Sequence, residues 1–239
     1  MSVLEEVLIR IREHRARVPV AVFDLDSTLF STQERNFAIL QEFAGRHGAP
    51  RELGALLGRL SSADMRWNCM DDLRRHGFSD EDTLTELRRF WFLRFFRDEY
   101  LDHDIPLPGA VEFVRDVHAA GALVYYLTGR DEPNMGRGTR RSLAAHGFPL
   151  EEERVQVRLK PFFEESDLAF KRRVLTELAG AGEVLAAAEN EPENANMFYA
   201  AFPGAHVFLL ETVHSPDPPP LAEGIHRLKD FTRTRPSPG

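Results

Sequence analysis

Residues 18–23, Val-Pro-Val-Ala-Val-Phe, form a short, almost continuously apolar run that ends abruptly in Asp24-Leu25-Asp26. Such a run suits a strand buried on both faces, as in a parallel sheet. The rest of the chain repeats the pattern. Strand-like stretches at 122–127, 155–159, 184–188 and 205–210 alternate with helix-like segments at 110–119, 137–146, 167–179 and 194–201. Alternation at this spacing indicates an α/β fold with an open, mostly parallel sheet sandwiched by helices.

Between the first and second strands, residues 33–100 are helix-like throughout. Ser79-Asp80-Glu81-Asp82 opens one of these helices with capping and acidic first-turn signals. That helix carries Phe90, Trp91, Phe92, Phe95 and Phe96, expected as packing residues because an aromatic stripe at helical spacing usually faces a core. The block is too long for a simple crossover and predicts an inserted all-helical cap. The expected organisation is a core of residues 1–32 and 105–213, a cap of 33–104, and a proline-rich extension of 214–239 whose end, 233–239, reads as a flexible tail. Residues 4–17 form an amphipathic lead-in helix, with Leu4, Val7, Leu8 and Ile11 on one face.

Composition narrows the function classes. The 239 residues suffice for one core plus a smaller module. A formal net charge of -8 argues against a nucleic-acid-binding surface. The one cysteine, Cys69, allows no intramolecular disulfide and no cysteine zinc site. The chain has no run of about 18 apolar residues to span a membrane, and its first residues lack a signal-peptide core, so a cytoplasmic protein is the expectation.

In open α/β sheets, ligands sit outside the carboxyl ends of the strands. The first strand ends in Asp24 and Asp26, the second in Thr128-Gly129-Arg130-Asp131, and the strand at 184–188 in Glu189-Asn190. Asp24 and Asp26 are two apart and project to the same side of an extended backbone. Two such carboxylates repel each other and an incoming phosphate, and a divalent cation relieves both problems. Asp24 could then attack phosphorus, while Asp26 protonates the leaving oxygen and later takes a proton from water. Thr128 offers a hydroxyl and an N–H to a phosphoryl oxygen, and Gly129 permits close approach. Lys171, at a helix start, could balance the charge on Asp24 and the phosphate; Lys160 also follows a strand and is the other candidate. Magnesium would be held by Asp24, by Asp26 through a nearby backbone carbonyl, and by Glu189 and Asn190, with Glu191 and Glu193 just outside. Arg130 and Asp131 could line the substrate entrance. Arg137, Arg140 and Arg141 could contact an anionic substrate, although a solvated helix face explains them better.

The order Asp24-Leu25-Asp26-Ser27-Thr28, Leu127-Thr128-Gly129-Arg130, Lys171, and an acidic segment after a strand resembles the haloacid dehalogenase (HAD) superfamily of phosphohydrolases, from about Val18 to Leu210. The resemblance implies a Rossmann-like core and a helical cap. It implies Asp24 as nucleophile, Asp26 as acid/base, Thr128 and Lys171 as phosphate stabilisers, and an acidic magnesium ligand at the fourth motif. Asp26 favours a phosphatase, since the dehalogenase and phosphonatase branches lack an aspartate there. Where the family carries aspartates in the fourth motif, this chain has Glu189-Asn190-Glu191. The expected activity is magnesium-dependent hydrolysis of a small phosphorylated metabolite. The alternatives are a phosphotransferase or phosphomutase using the same aspartate, or a non-catalytic phosphate- or metal-binding protein.

Overall fold

Burial on both faces is what the valine-rich run receives. The computed structural model describes residues 1–46 and 48–233. In chain order its elements are α1 (Val3–Glu13), β1 (Pro19–Phe23), β2 (Phe30–Ser31), α2 (Gln33–Ala44), α3 (Arg51–Leu57), α4 (Cys69–Arg75), α5 (Glu81–Phe95), β3 (Ile105–Pro106), α6 (Ala110–Ala119), β4 (Leu123–Asp131), α7 (Glu132–His146), β5 (Val155–Lys160), α8 (Asp167–Ala181), β6 (Glu183–Glu189), α9 (Pro192–Ala201), β7 (His206–Leu210) and β8 (His226–Leu228). Successive side chains of β1 alternate between faces. Val20 and Val22 join Phe170, Val174 and Leu178 of α8 and Phe198 of α9, while Ala21 and Phe23 join Val7 of α1, Phe113 of α6 and Leu143 of α7.

Among the described residues, six strands form one parallel sheet in the order β5-β4-β1-β6-β7-β8. The chain builds outward from β1 through β4 to β5, then crosses back to the other side of β1 for β6, β7 and β8. That reversal makes the carboxyl end of β1 the topological switch point, where open α/β sheets carry their ligands. The α/β class and the Rossmann-like arrangement are as the sequence predicts.

Helices α2 to α5 pack around their own apolar cluster, which includes Ile39, Phe43, Leu53, Met65, Leu73, Leu87 and Phe90. The chain leaves the sheet for these helices and returns through a two-residue antiparallel ladder, Phe30 opposite Pro106 and Ser31 opposite Ile105. This stem sits seven residues beyond Asp24 and anchors the helical layer beside the strand ends.

Two boundaries differ from the sequence reading. Helix α7 begins at Glu132, not near 137, because Asp131 caps it by accepting from the Asn134 N–H at 3.1 Å. The sheet does not stop at 205–210. The segment read as a proline-rich extension returns as β8, pairs with β7, and buries Phe231 against Phe113 with ring centroids 5.5 Å apart. Its His226-Arg227-Leu228 has no apolar run to announce a strand, since an edge strand has half its surroundings in solvent. Of the tail expected at 233–239, Arg233 pairs with Asp116, and 234–239 lie outside the described residues.

Candidate active site

The last rung of the β1 ladder positions the first carboxylate. The Asp24 N–H donates to the Ala188 carbonyl at 3.1 Å, which sets Asp24 beside the end of β6. The chain then turns sharply. Ser27 adopts φ 58°, the left-handed region that a non-glycine residue occupies only when its surroundings hold it there. That turn brings the Thr28 hydroxyl back to Asp24 Oδ2 at 3.0 Å and to Asn190 Oδ1 at 3.2 Å.

Of the two candidate lysines, Lys171 reaches Asp24. Its Nζ lies 2.8 Å from Asp24 Oδ1 and also bonds Glu189 Oε1. Lys160 instead holds the loop after β5, donating to the carbonyls of Phe163 (3.2 Å) and Glu165 (2.8 Å) and pairing with Asp167 at 2.8 Å. Thr128, Gly129, Asp26 and Asn190 line the same cavity of about 460 Å³ as Asp24 and Lys171. Thr128 Oγ1 accepts from the Arg130 N–H at 3.2 Å. A Cβ on Gly129 would meet the Asp167 carboxylate, an exposed side chain that would have to move aside.

Glu189 is fully buried and already saturated. Its Oε1 takes Lys171 and the Asn194 amide (2.9 Å), and its Oε2 takes the backbone N–H groups of Asn190 (2.8 Å) and Glu191 (3.2 Å). Four donors occupy the roughly four lone-pair directions of a carboxylate. The expectation that Glu189 ligates a metal directly therefore meets a filled group, and among the described residues no three His, Cys, Asp or Glu side chains cluster to hold an ion.

The remaining oxygens do fit a magnesium ion. Thr28 has one hydroxyl proton for two acceptors, so either Asp24 Oδ2 or Asn190 Oδ1 is left without a donor. Two buried carboxylates, Asp24 and Glu189, also share one ammonium. Burial first, then the Glu189 charge, push the Asp24 carboxyl up to about 7 against the lowering pull of Lys171. The same two carboxylates outweigh burial at Lys171 and keep it protonated. Asp24 and Asn190 offer hard oxygens at a site with surplus negative charge, which suits a cation that keeps several waters.

Asp26 sits in a different electrostatic setting. Its Oδ1 accepts from Arg35 Nη2 (2.7 Å) and from Arg130 Nη2 (2.5 Å) and Nε (3.1 Å). Both guanidiniums also bind the buried Asp104, at 2.6 and 2.7 Å. Burial works to raise the Asp26 carboxyl, but Arg130 and Arg35 outweigh it and hold it well below the usual range. Arg130 was expected at the substrate entrance. It lines the cavity, with its side chain buried and bonded to Asp26 and Asp104. Asp131 is the α7 cap, and Arg137, Arg140 and Arg141 pair with Asp98, Glu132 and Asp102 on the outside of α7, away from the cavity. Arg35 and Asp104 are the functional residues that sequence reasoning missed. They stand on either side of the helical insertion, and no local pattern marks a pair 69 residues apart.

The sheet order, the switch-point site and the helical insertion can be set beside proteins of known structure. No protein-family model matches the chain, and no curated protein does. Solved structures match over most of its length. One is a candidate haloacid dehalogenase-like hydrolase from Burkholderia xenovorans LB400, with 16% identity, a TM-score of 0.53, and coverage of 90% of this chain and 93% of that one. A candidate phosphatase from Clostridium difficile gives 11%, 0.54, 85% and 90%. Protein tyrosine kinase A (PtkA) of Mycobacterium tuberculosis gives 18%, 0.50, 90% and 94%. At these identities the likeness establishes the fold, which agrees with the resemblance carried by the four sequence motifs.

Proposed function

We propose that the protein is a magnesium-dependent phosphomonoester hydrolase in which Asp24 is the nucleophile. The observation that carries this reading is Asp24 itself, buried at the switch point and paired with Lys171 at 2.8 Å. Its neighbour two residues on opens into the same cavity. A buried carboxylate held in place by an ammonium is oriented to attack and is screened from an incoming anion.

An Asp24 oxygen bonds to phosphorus as the ester P–O bond breaks, leaving an aspartyl phosphate and an alkoxide that takes a proton from solvent water and departs as the alcohol. Water then attacks phosphorus, the Asp24–phosphorus bond breaks, and inorganic phosphate leaves. Lys171 and Thr128, which line the cavity with Asp24, would stabilise the phosphoryl oxygens. Asp26, held ionised by Arg35 and Arg130, is set to take the proton of the attacking water through Oδ2, the oxygen that the arginines leave uncommitted. Asp24 and Asn190, with the Asp26 backbone carbonyl, are the residues that would hold magnesium. The bound ion supplies Lewis-acid stabilisation of charge on the phosphoryl group.

Turnover of p-nitrophenyl phosphate, measured with magnesium and after chelation, tests the reading. Asp24→Asn is expected to lose at least about a thousandfold in kcat/KM, and Asp26→Asn about a hundredfold or more. Activity retained by Asp24→Asn would sink the mechanism. Product analysis distinguishes transfer, since a phosphotransferase yields a new phosphate ester where a hydrolase releases inorganic phosphate.

A further inference from the structure

Part of the cavity lining takes no share in phosphoryl chemistry. Trp91 and Phe95 of α5, Phe96 just after it, and Phe163 from the loop after β5 form an aromatic wall, with Trp67 and Met70 beside them. The sequence suggests core packing for the α5 aromatics: Phe90 is in that core, Trp91 and Phe95 pack against it and also line the cavity, Phe96 lines the cavity, and Phe92 is exposed.

The rings are fixed in place. Trp91 stacks on Phe95 with centroids 4.6 Å apart and 27° between planes, and its indole N–H donates to Asn36 Oδ1 at 2.7 Å. The Arg35 guanidinium lies 4.4 Å over the Phe95 ring. Phe96 stands edge-on to Phe95 at 5.0 Å and to Phe163 at 5.0 Å, so the wall continues from the helical layer onto the sheet domain. Part of the neighbouring polar lining is engaged, while Arg66 and Arg88 line the same cavity with no carboxylate at ion-pair distance among the described residues. Asn36 is held by Trp91, Thr32 by the Ser27 hydroxyl, Asn194 by Glu189, and the Asn190 amide by the Val213 carbonyl. A flat apolar ring would gain face and edge contacts with rings that lose little freedom.

We propose that this wall is a subsite for a planar aromatic group, so that aryl or arylmethyl phosphomonoesters are substrates. The proposal rests on the hydrolase reading of Asp24, and the test separates the two. Benzyl and cyclohexylmethyl phosphate present leaving alkoxides of similar basicity and size but differ in planarity. Benzyl phosphate is expected to show a kcat/KM about tenfold higher, carried by KM. Benzylphosphonate, which is not hydrolysed, should bind Asp24→Asn protein about tenfold tighter than cyclohexylmethylphosphonate, read by tryptophan fluorescence. Phe96→Leu and Phe163→Leu, two independent variants, should each shrink that ratio. Equal affinity for the two phosphonates, or a preference untouched by both leucine variants, overturns the subsite. Discrimination between the phosphonates without turnover of either ester overturns the hydrolase reading and leaves the aromatic subsite standing.

Discussion

At the scale of single residues, the charge balance of the site turns on Lys171. Its ammonium serves two buried carboxylates, so Lys171→Met leaves Asp24 and Glu189 facing each other without a counter-ion. Removing one partner from a buried ion cluster typically costs about 3–5 kcal/mol, and urea unfolding of the variant should show a loss of that order. Adding Glu189→Gln removes one of the stranded charges and should restore part of the stability. A double variant no more stable than Lys171→Met would contradict the shared-charge account. Asp24 and Thr128 were legible in the sequence because each follows an apolar strand run, and Lys171 because it stands in the first turns of a helix with a clear apolar pattern; the parallel topology brings these places together. Arg35 and Asp104 were not legible. Their value lies in meeting Asp26 and Arg130 across the insertion, and a buried arginine looks like a surface one until the fold has closed around it. Glu189 was legible as an acidic strand end, but its saturation by Lys171, Asn194 and two backbone amides depends on a turn geometry that composition does not encode.

At the scale of elements, the strands that cross the interior declare themselves and the edge does not. β1, β4 and β6 are continuous apolar runs because both their faces are covered. β8 is held to β7 partly by two histidines, His206 Nδ1 lying 3.3 Å from His226 Nε2 with the rings nearly stacked. Burial, then the charges of His226 and Arg10, hold the His206 imidazole below its ordinary pKa. The sign follows from linkage. A depressed folded-state pKa means that the unfolded chain binds the proton more readily, so this contribution to stability is complete above the ordinary imidazole range and is lost as pH falls through it. Thermal midpoints should therefore drop between pH 8 and pH 5.5, and His206→Asn should shrink the drop. A drop of the same size in the variant would remove His206 from the explanation.

At the scale of the whole molecule, the far ends of the chain complete the layer of helices behind β1. Gly109 takes φ +75°, and a Cβ there would lie 2.5 Å from the Phe231 backbone, so the start of α6 and the C-terminal segment are in direct backbone contact. The Phe231 N–H donates to the Pro108 carbonyl at 2.9 Å, and its ring is 1% exposed. Phe231→Ala should cost about 3–5 kcal/mol, as for other large buried aromatics, and Gly109→Ala should also destabilise, through both backbone strain and overlap. Calorimetry on both variants checks this; a Phe231→Ala protein as stable as the parent would mean that the segment merely rests on the surface.

The strand order has a further consequence for biosynthesis. β1, which carries Asp24, pairs with β4, about a hundred residues later, and with β6, which ends at Glu189. On the ribosome its valine-rich run must stay unpaired until β4 is made and half-paired until β6 is made, on the order of ten seconds at ordinary elongation rates. The insertion, rich in local helical contacts around its own cluster, can condense in that interval, whereas the sheet centre waits for distant partners. Asp24 is thus made before both strands that flank it and reaches its final surroundings only when they have paired. The nascent chain is most in need of protection from aggregation between the emergence of residue 23 and that of residue 189.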